Sequence, residues 1–223
     1  MNKKWDISET FLGFAIYYLV FSLVDVIASN FNISKDNVFL ISSIVSVITL
    51  FTILYLQISK GKGSTKKLET TSKNNSRDFL IGVISGITLG SIVVLSVFND
   101  EMGIFSLLSI KYMRTFLYPN GIINMILFFI VFVIAIPIAA EMFFRGYMYP
   151  ALEKHYNLII AAFVTSIFSS IFLSGSISFL LLFIAGLVFA FLYQKTEAVF
   201  CSIVSHMTFN LIITLIIFIK GGN

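Results

Sequence analysis

The chain has 223 residues, of which 58% are hydrophobic and only 12% are charged, and its mean hydropathy is +0.97. Soluble domains are nearer half apolar and a quarter charged. Apolar runs of membrane-spanning length recur along the whole chain, so a soluble fold is excluded. The composition predicts an all-α, polytopic transmembrane helix bundle with a single membrane domain over residues 1–223. The net charge of +4 bears on membrane topology, and we expect no nucleic-acid partner.

Seven apolar segments predict about seven spanning helices: 10–29, 38–58, 79–98, 122–152, 158–174, 177–194 and 197–219. The mixed segment 99–121 predicts one further helix, interfacial or re-entrant, because charges, Pro119 and Gly121 interrupt its apolar pattern. Three glycines at intervals of four give the third span one small face, which lets another helix approach closely: Gly82, Gly86 and Gly90.

The loop 59–78 carries six of the 15 basic residues. One interpretation is contact with anionic lipid. The other is a cytoplasmic loop that follows the positive-inside bias, which we favour. It places the N-terminus in the cytoplasm and the C-terminus outside. We therefore expect a multi-pass protein of the cell membrane, with membrane lipid as one of its partners.

Two ionisable residues interrupt the fourth apolar helix. Glu141 and Arg145 are four residues apart, which places them on one helical face within pairing distance. Ionisable side chains at membrane depth are costly and often mark a functional site, although a structural ion pair is an equally simple interpretation. Pro137 removes a backbone hydrogen bond just before Glu141, and we expect a kink and a free carbonyl near the carboxylate.

A second polar pair lies in the seventh helix. His206 and Asn210 are also four apart and share a face, and the alternative to a site is a packing histidine. Glu141 lies about 21 Å deep when counted back from the cytoplasmic turn 153–157, at about 1.5 Å per residue. His206 lies about 15 Å deep when counted from the next cytoplasmic turn, near Lys195. We therefore predict that the two pairs line one cavity.

These residues resemble a known family. The segment 140–146, which reads Ala-Glu-Met-Phe-Phe-Arg-Gly, is similar to the Glu-Glu-x-x-x-Arg-Gly motif of the CAAX protease and bacteriocin-processing (Abi) family of intramembrane proteases. His206-x-x-x-Asn210 resembles the last motif of that family, and Gly186 and Tyr193 resemble the spacer before it. The resemblance covers about residues 120–215, and the order and spacing of the motifs make it specific.

The resemblance implies a membrane endopeptidase that cleaves lipid-anchored or apolar peptide termini. In the family, the first glutamate and a central histidine are thought to activate the attacking water. By the same resemblance, His206 and Asn210 would stabilise the oxyanion, and Glu141 and Arg145 would orient the cluster.

Two positions depart from the family pattern. Ala140 stands where the first glutamate is expected, and Phe172 stands at the position of the central histidine. No histidine occurs between residues 156 and 205, so the second loss does not depend on the alignment. Neither side chain can accept a proton, and general-base catalysis is typically worth about 10²–10⁴-fold. Ala140 is either a natural loss or an introduced replacement, and Phe172 favours the natural loss.

The residues therefore predict a catalytically impaired member of the family. It would bind a membrane-associated peptide or protein partner as a scaffold, regulator or bacteriocin-immunity protein. The alternative is an active intramembrane endopeptidase, and a small transporter or channel is a third possibility with few charges to support it. We expect no cofactor. Zinc enters only with the active alternative, because Glu141, His206 and Asn210 make a thin ligand set. We interpret Cys201 as a packing residue.

Overall fold

The computed structural model describes residues 6–31, 33–59, 74–98, 121–173 and 179–221. Within these ranges the regular structure is entirely helical, which confirms the predicted all-α bundle. The described residues form seven helices: α1 (Ile7–Asn30), α2 (Lys35–Ser59), α3 (Asn75–Phe98), α4 (Ile122–Glu153), α5 (Leu158–Leu173), α6 (Phe179–Thr196) and α7 (Val199–Gly221).

Six of these helices, all except α5, are long and apolar enough to cross a membrane. The 16 residues of α5 span about 24 Å at 1.5 Å per residue, less than the roughly 30 Å hydrocarbon core. The chain is a multi-pass membrane protein. The predicted interfacial helix at 99–121 and most of the basic loop at 59–78 lie outside the described residues. That loop ends earlier than predicted, because α3 begins at Asn75.

Close packing joins α3 to α7, as the glycine spacing predicts. A Cβ atom added to Gly86 would lie 2.6 Å from the carbonyl oxygen of Ser205, and one added to Gly82 would lie 2.9 Å from that of Cys201. Real Cβ atoms do not approach other atoms so closely, so only glycine permits this contact. A hydroxyl–hydroxyl bond of 2.8 Å between Ser85 and Ser205 adds to the same interface.

The long helix α4 is not regular. It contains two π-helical stretches, Phe129–Ala135 and Met142–Met148, on either side of the short α-helical segment Ile136–Glu141. Pro137 lies in that short segment. The proline therefore follows a change of hydrogen-bond register, and such π-helical insertions are frequent at functional sites.

The core surrounds the middle of α4, which contacts α1, α2, α5 and α7. On the side of α1 the contacts are aromatic. The ring of Phe14 lies 4.8 Å from that of Phe168 on α5 and 6.3 Å from that of Phe144 on α4. On the other side, α6 packs against α5 and α7. Both ends of the 140–146 segment are therefore enclosed by protein rather than by lipid.

Candidate functional site

Three of the predicted site residues meet between α4 and α7. Arg145 donates a hydrogen bond from Nη1 to Glu141 Oε1 over 3.2 Å. Nδ1 of His206 lies 3.0 Å from the same oxygen. An ionised carboxylate only accepts hydrogen bonds, and in that state it pairs with the His206 tautomer that carries its ring hydrogen on Nδ1. One carboxylate oxygen thus joins a guanidinium on its own helix to an imidazole 65 residues later.

Helix α6 completes the cluster from a third direction. Arg145 donates a second hydrogen bond from Nη2 to the carbonyl oxygen of Gly186, over 2.7 Å. The ring of Phe189 stacks on His206 at 4.8 Å with an angle of 19° between planes, and its centroid lies 5.7 Å from Cζ of Arg145. The guanidinium is therefore held by hydrogen bonds at two of its nitrogens and covered by an aromatic face.

The cluster is closed to its surroundings. Glu141 is 0% exposed, Arg145 1% and His206 2%. Two buried atoms, Oε2 of Glu141 and Nε of Arg145, have no hydrogen-bond partner among the described residues. Buried polar atoms normally form hydrogen bonds, so we expect each of these two atoms to bond to a small polar partner.

A small cavity adjoins the cluster. Its volume of about 10 Å³ is at the lower limit of the space that one water molecule requires. It is lined by Ala140, Glu141, Arg145, Ser169, Leu182, Ala185, Gly186, Phe189, His206 and Phe209. A single water in this cavity would provide a partner for the second carboxylate oxygen.

Ala140 lies beside this cavity and is 1% exposed. Adjacent positions on an α-helix point about 100° apart, yet Ala140 and Glu141 both contribute to the cavity wall. The methyl group of Ala140 offers no acceptor there. Glu141 is therefore the one carboxylate among the residues that line the cavity.

The expectation that all four polar residues line one cavity holds for three of them and differs for Asn210. Its side chain is buried but does not reach the cavity. Nδ2 of Asn210 instead donates a 2.8 Å hydrogen bond to the carbonyl oxygen of Phe132 on α4. The reason is the register of α4 near Pro137, which leaves that carbonyl without a backbone donor.

Phe172 lies in the last turn of α5, and its side chain is outside the described residues. The described α5 residue that lines the cavity is Ser169, three positions earlier. Its hydroxyl donates to the carbonyl oxygen of Ser166 over 3.1 Å. This cavity-lining hydroxyl on α5 thus lies about one helical turn before the position at which the family pattern places a histidine.

Residues 122–212 match the family model for type II CAAX prenyl endopeptidase Rce1-like proteins. This region is similar to the Rce1-like family. The match covers α4 to α7, which contain every residue of the polar cluster, and it confirms the resemblance seen in the sequence. Searches of curated proteins and of solved structures found no match.

The described residues of the matched region do not fit a zinc site. A catalytic zinc ion is usually held by three protein ligands. No group of three or more His, Cys, Asp or Glu side chains that could hold a metal occurs among the described residues. At the cluster, Glu141 and His206 bond to each other, and Asn210 does not line the cavity.

Several contributors to the site carry no recognisable chemical signal in the sequence. The carbonyl oxygens of Gly186 and Phe132 act through the backbone. Phe189 acts through its ring face, and nothing distinguishes it from the other phenylalanines of α6. In the sequence, only the resemblance to the family spacer points to Gly186. Its lack of a side chain allows α5 to pack closely, since an added Cβ would lie 3.0 Å from that of Ser166.

Proposed function

We propose that this Rce1-like protein is catalytically impaired, and that it binds a membrane-associated peptide or protein as a scaffold, regulator or bacteriocin-immunity protein. The observation that carries the proposal is the composition of the cavity wall. Ala140 occupies the position of the first glutamate, and Glu141 Oε1 is already bonded to Arg145 and His206. A water in so small a cavity would contact a single carboxylate, that of Glu141, and this carboxylate already bonds α4 to α7.

The size and closure of the cluster support the same conclusion. A peptide bond cannot enter a cavity of about 10 Å³ unless helices move apart. A fully enclosed ion pair adds little net stability, but removing one of its partners is strongly destabilising. The polar residues then act as a fixed core, and the binding surface lies elsewhere on the bundle.

A lateral groove between α3 and α6 provides such a surface. Its volume is about 360 Å³, and it is lined by Ile81, Ile84, Ser85, Thr88, Leu89 and Val188. The groove is almost wholly apolar, and both of its walls belong to helices long enough to span the membrane. We propose that the apolar part of a membrane-associated peptide lies here.

Peptide binding is tested with protein reconstituted in liposomes and a fluorescent lipid-anchored peptide. Ile84→Trp fills the groove and is expected to weaken binding by more than tenfold. Ile87→Trp is the matched control, because Ile87 is exposed on the same helix but does not line the groove. Equal binding by both variants would place the peptide elsewhere.

The catalytic half of the proposal is tested by cleavage of the same peptide. We expect no turnover by the chain as it stands. Ala140→Glu restores cleavage if the loss lies only there, and Ala140→Glu with Phe172→His restores it if both positions are required. Inactivity of both variants would mean that the loss extends further, while turnover by the unaltered chain would overturn the proposal.

One observation favours the second candidate, an active intramembrane endopeptidase. Glu141 holds Nδ1 of His206, and this leaves the other ring nitrogen, Nε2, as the acceptor of the imidazole. A carboxylate that orients a histidine in this way is the arrangement of a general base in hydrolases. Under this candidate His206 would activate the water, and His206→Ala would abolish cleavage by the unaltered chain.

We further propose that the protein lies in the cell membrane with its N-terminus in the cytoplasm. The support is the excess of basic residues in the loop 59–78. Ser64→Cys is then expected to resist a membrane-impermeant thiol reagent applied to whole cells and to react once the membrane is permeabilised. Cys201 is buried and provides the unreactive background. The opposite labelling pattern would reverse the orientation.

A further inference from the structure

Asn210 makes an interaction that neither the family resemblance nor the proposed function accounts for. Its Nδ2 donates a 2.8 Å hydrogen bond to the carbonyl oxygen of Phe132, 78 residues away. Asn210 is 2% exposed and Phe132 4%. The bond joins the middle of α7 to the first π-helical stretch of α4, inside protein and away from water.

The carbonyl of Phe132 needs this partner because the backbone supplies none. In α register its donor would be the N–H of Ile136, but that N–H bonds to the carbonyl of Val131. In π register the donor would be the residue at position 137, and Pro137 has no N–H. The change of register and the proline together remove both backbone donors.

An unpaired backbone carbonyl is costly at membrane depth, where no water is present to satisfy it. An amide side chain from a neighbouring helix is one of the few groups that can supply the missing N–H. Asparagine fits this requirement because it carries a donor and bears no charge. Asn210 thus supplies the N–H donor that Pro137 lacks.

The position of this bond relates it to the polar cluster. Pro137 lies one helical turn before Glu141 on α4, and Asn210 lies one turn after His206 on α7. The Asn210–Phe132 and Glu141–His206 bonds therefore join the same two helices at neighbouring levels. A shift of α4 that broke the first bond would also displace the carboxylate from the imidazole.

We propose that Asn210 is a positioning residue that replaces the N–H missing at Pro137 and so holds α4 in the register in which Glu141 meets His206. One N–H of its Nδ2 is bonded to the protein backbone, and its side chain does not line the cavity. This role is independent of whether the site cleaves a peptide or only binds one, because it concerns the helix that carries the site.

The test is a double-mutant cycle between the two positions, in purified full-length protein in detergent. Asn210→Ala removes the donor, and Pro137→Ala returns an N–H to the backbone of α4. We measure the thermal unfolding midpoint and the ring nitrogen NMR signals of His206. His155→Gln, in the exposed turn after α4, removes the signals of the second histidine.

Asn210→Ala is expected to lower the midpoint and to shift the His206 signals. In the Pro137→Ala background the same substitution is expected to cost less than half as much, and the His206 signals are expected to return toward those of the unaltered protein. If Asn210→Ala alone does not fold, the expected result is that the double variant does. This rescue is the distinctive outcome, since it requires that one group replaces the other.

Thr208→Val is the matched control. Its hydroxyl bonds within α7, to the carbonyl oxygen of Val204, so its loss should cost the same in both backgrounds. Equal losses for Asn210→Ala in both backgrounds, or failure of the double variant to fold, would overturn the replacement of the proline N–H. A lowered midpoint with unchanged His206 signals would overturn the positioning role.

Discussion

On one side of α7, Ser205 and Thr208 lie against the glycines of α3, whereas on the other side His206 and Asn210 hydrogen-bond to α4. The first contact is steric and nearly apolar, with one hydroxyl pair. The second is polar and depends on single atoms. Transmembrane helices associate through close packing and through interhelical hydrogen bonds. In this protein, the two kinds of contact lie on opposite faces of α7.

The difference teaches how the site is kept in place. The steric face sets the distance between α3 and α7 through the contacts at Gly82, Gly86 and Gly90. The polar face fixes α7 relative to α4 at two levels, because the donors and acceptors occupy defined positions. A substitution on the polar face should therefore lower the free energy of unfolding more than one on the steric face. It should also alter the site directly.

The largest effect is expected for Arg145→Ala. It leaves the Glu141 carboxylate without its guanidinium partner and the Gly186 carbonyl without its side-chain donor, and breaking a buried pair in this way costs about 3–5 kcal/mol. The measurement is the free energy of unfolding in mixed detergent.

Arg145→Lys provides the control for charge. An ammonium cannot reproduce the planar fork that bonds Glu141 and Gly186 together, so we expect a loss between those of the unaltered protein and of the alanine variant. Unchanged stability of Arg145→Ala would mean that water replaces the guanidinium, and the polar face would then not be the stronger one.

The steric face is tested by Gly86→Ala. The added Cβ would lie 2.6 Å from the backbone oxygen of Ser205, so α3 and α7 must separate, and overpacking of this kind costs about 1–3 kcal/mol. Gly90→Ala is the matched variant, because its Cβ meets only side-chain atoms of Ile212. A smaller loss is expected there, and thermal unfolding of the two variants side by side measures the difference.

If Gly90→Ala proves as costly as Gly86→Ala, the side chain of Ile212 is as rigid as the backbone. If Gly86→Ala exceeds the loss of Arg145→Ala, the order of the two faces is reversed.

The smallest effect is expected for Ser85→Ala. It removes the hydroxyl pair with Ser205, and interhelical hydrogen bonds in membrane proteins are worth about 0.6 kcal/mol on average. Ser91→Ala is the control, because the exposed Ser91 hydroxyl bonds within its own helix, to the carbonyl oxygen of Ile87. If the two variants are equally stable, the hydroxyl pair contributes nothing measurable and the contact between α3 and α7 depends on shape alone.

The sequence predicts those features that follow from regular spacing. The pairing of Glu141 with Arg145 follows from an interval of four, and the glycine face of α3 follows from the same interval. The meeting of Glu141 with His206 follows from counting residues inward from the turns. Each of these inferences needs only an approximately regular helix, and each is confirmed in the structure.

The interactions that the sequence does not predict depend on the backbone. The partner of Asn210 is a carbonyl that becomes available because α4 changes register at Phe129–Ala135. Pro137 signals that some carbonyl is freed, but a π-helical stretch changes which one. The carbonyl of Gly186 likewise becomes an acceptor for Arg145 only because α6 lies beside α4, and that proximity is a property of the assembled bundle.

The pairing of Glu141 with Arg145 inside one helix also bears on biosynthesis. An isolated charge at the centre of a helix costs about 2.5–3.5 kcal/mol during insertion by the translocon. Because its counter-ion lies one turn away, the part of α4 before Glu153 is electrically neutral when it enters the bilayer, before α7 has been synthesised. His206 arrives 65 residues later. The polar cluster therefore forms in two stages, the ion pair at insertion and the imidazole contact when the last helix docks.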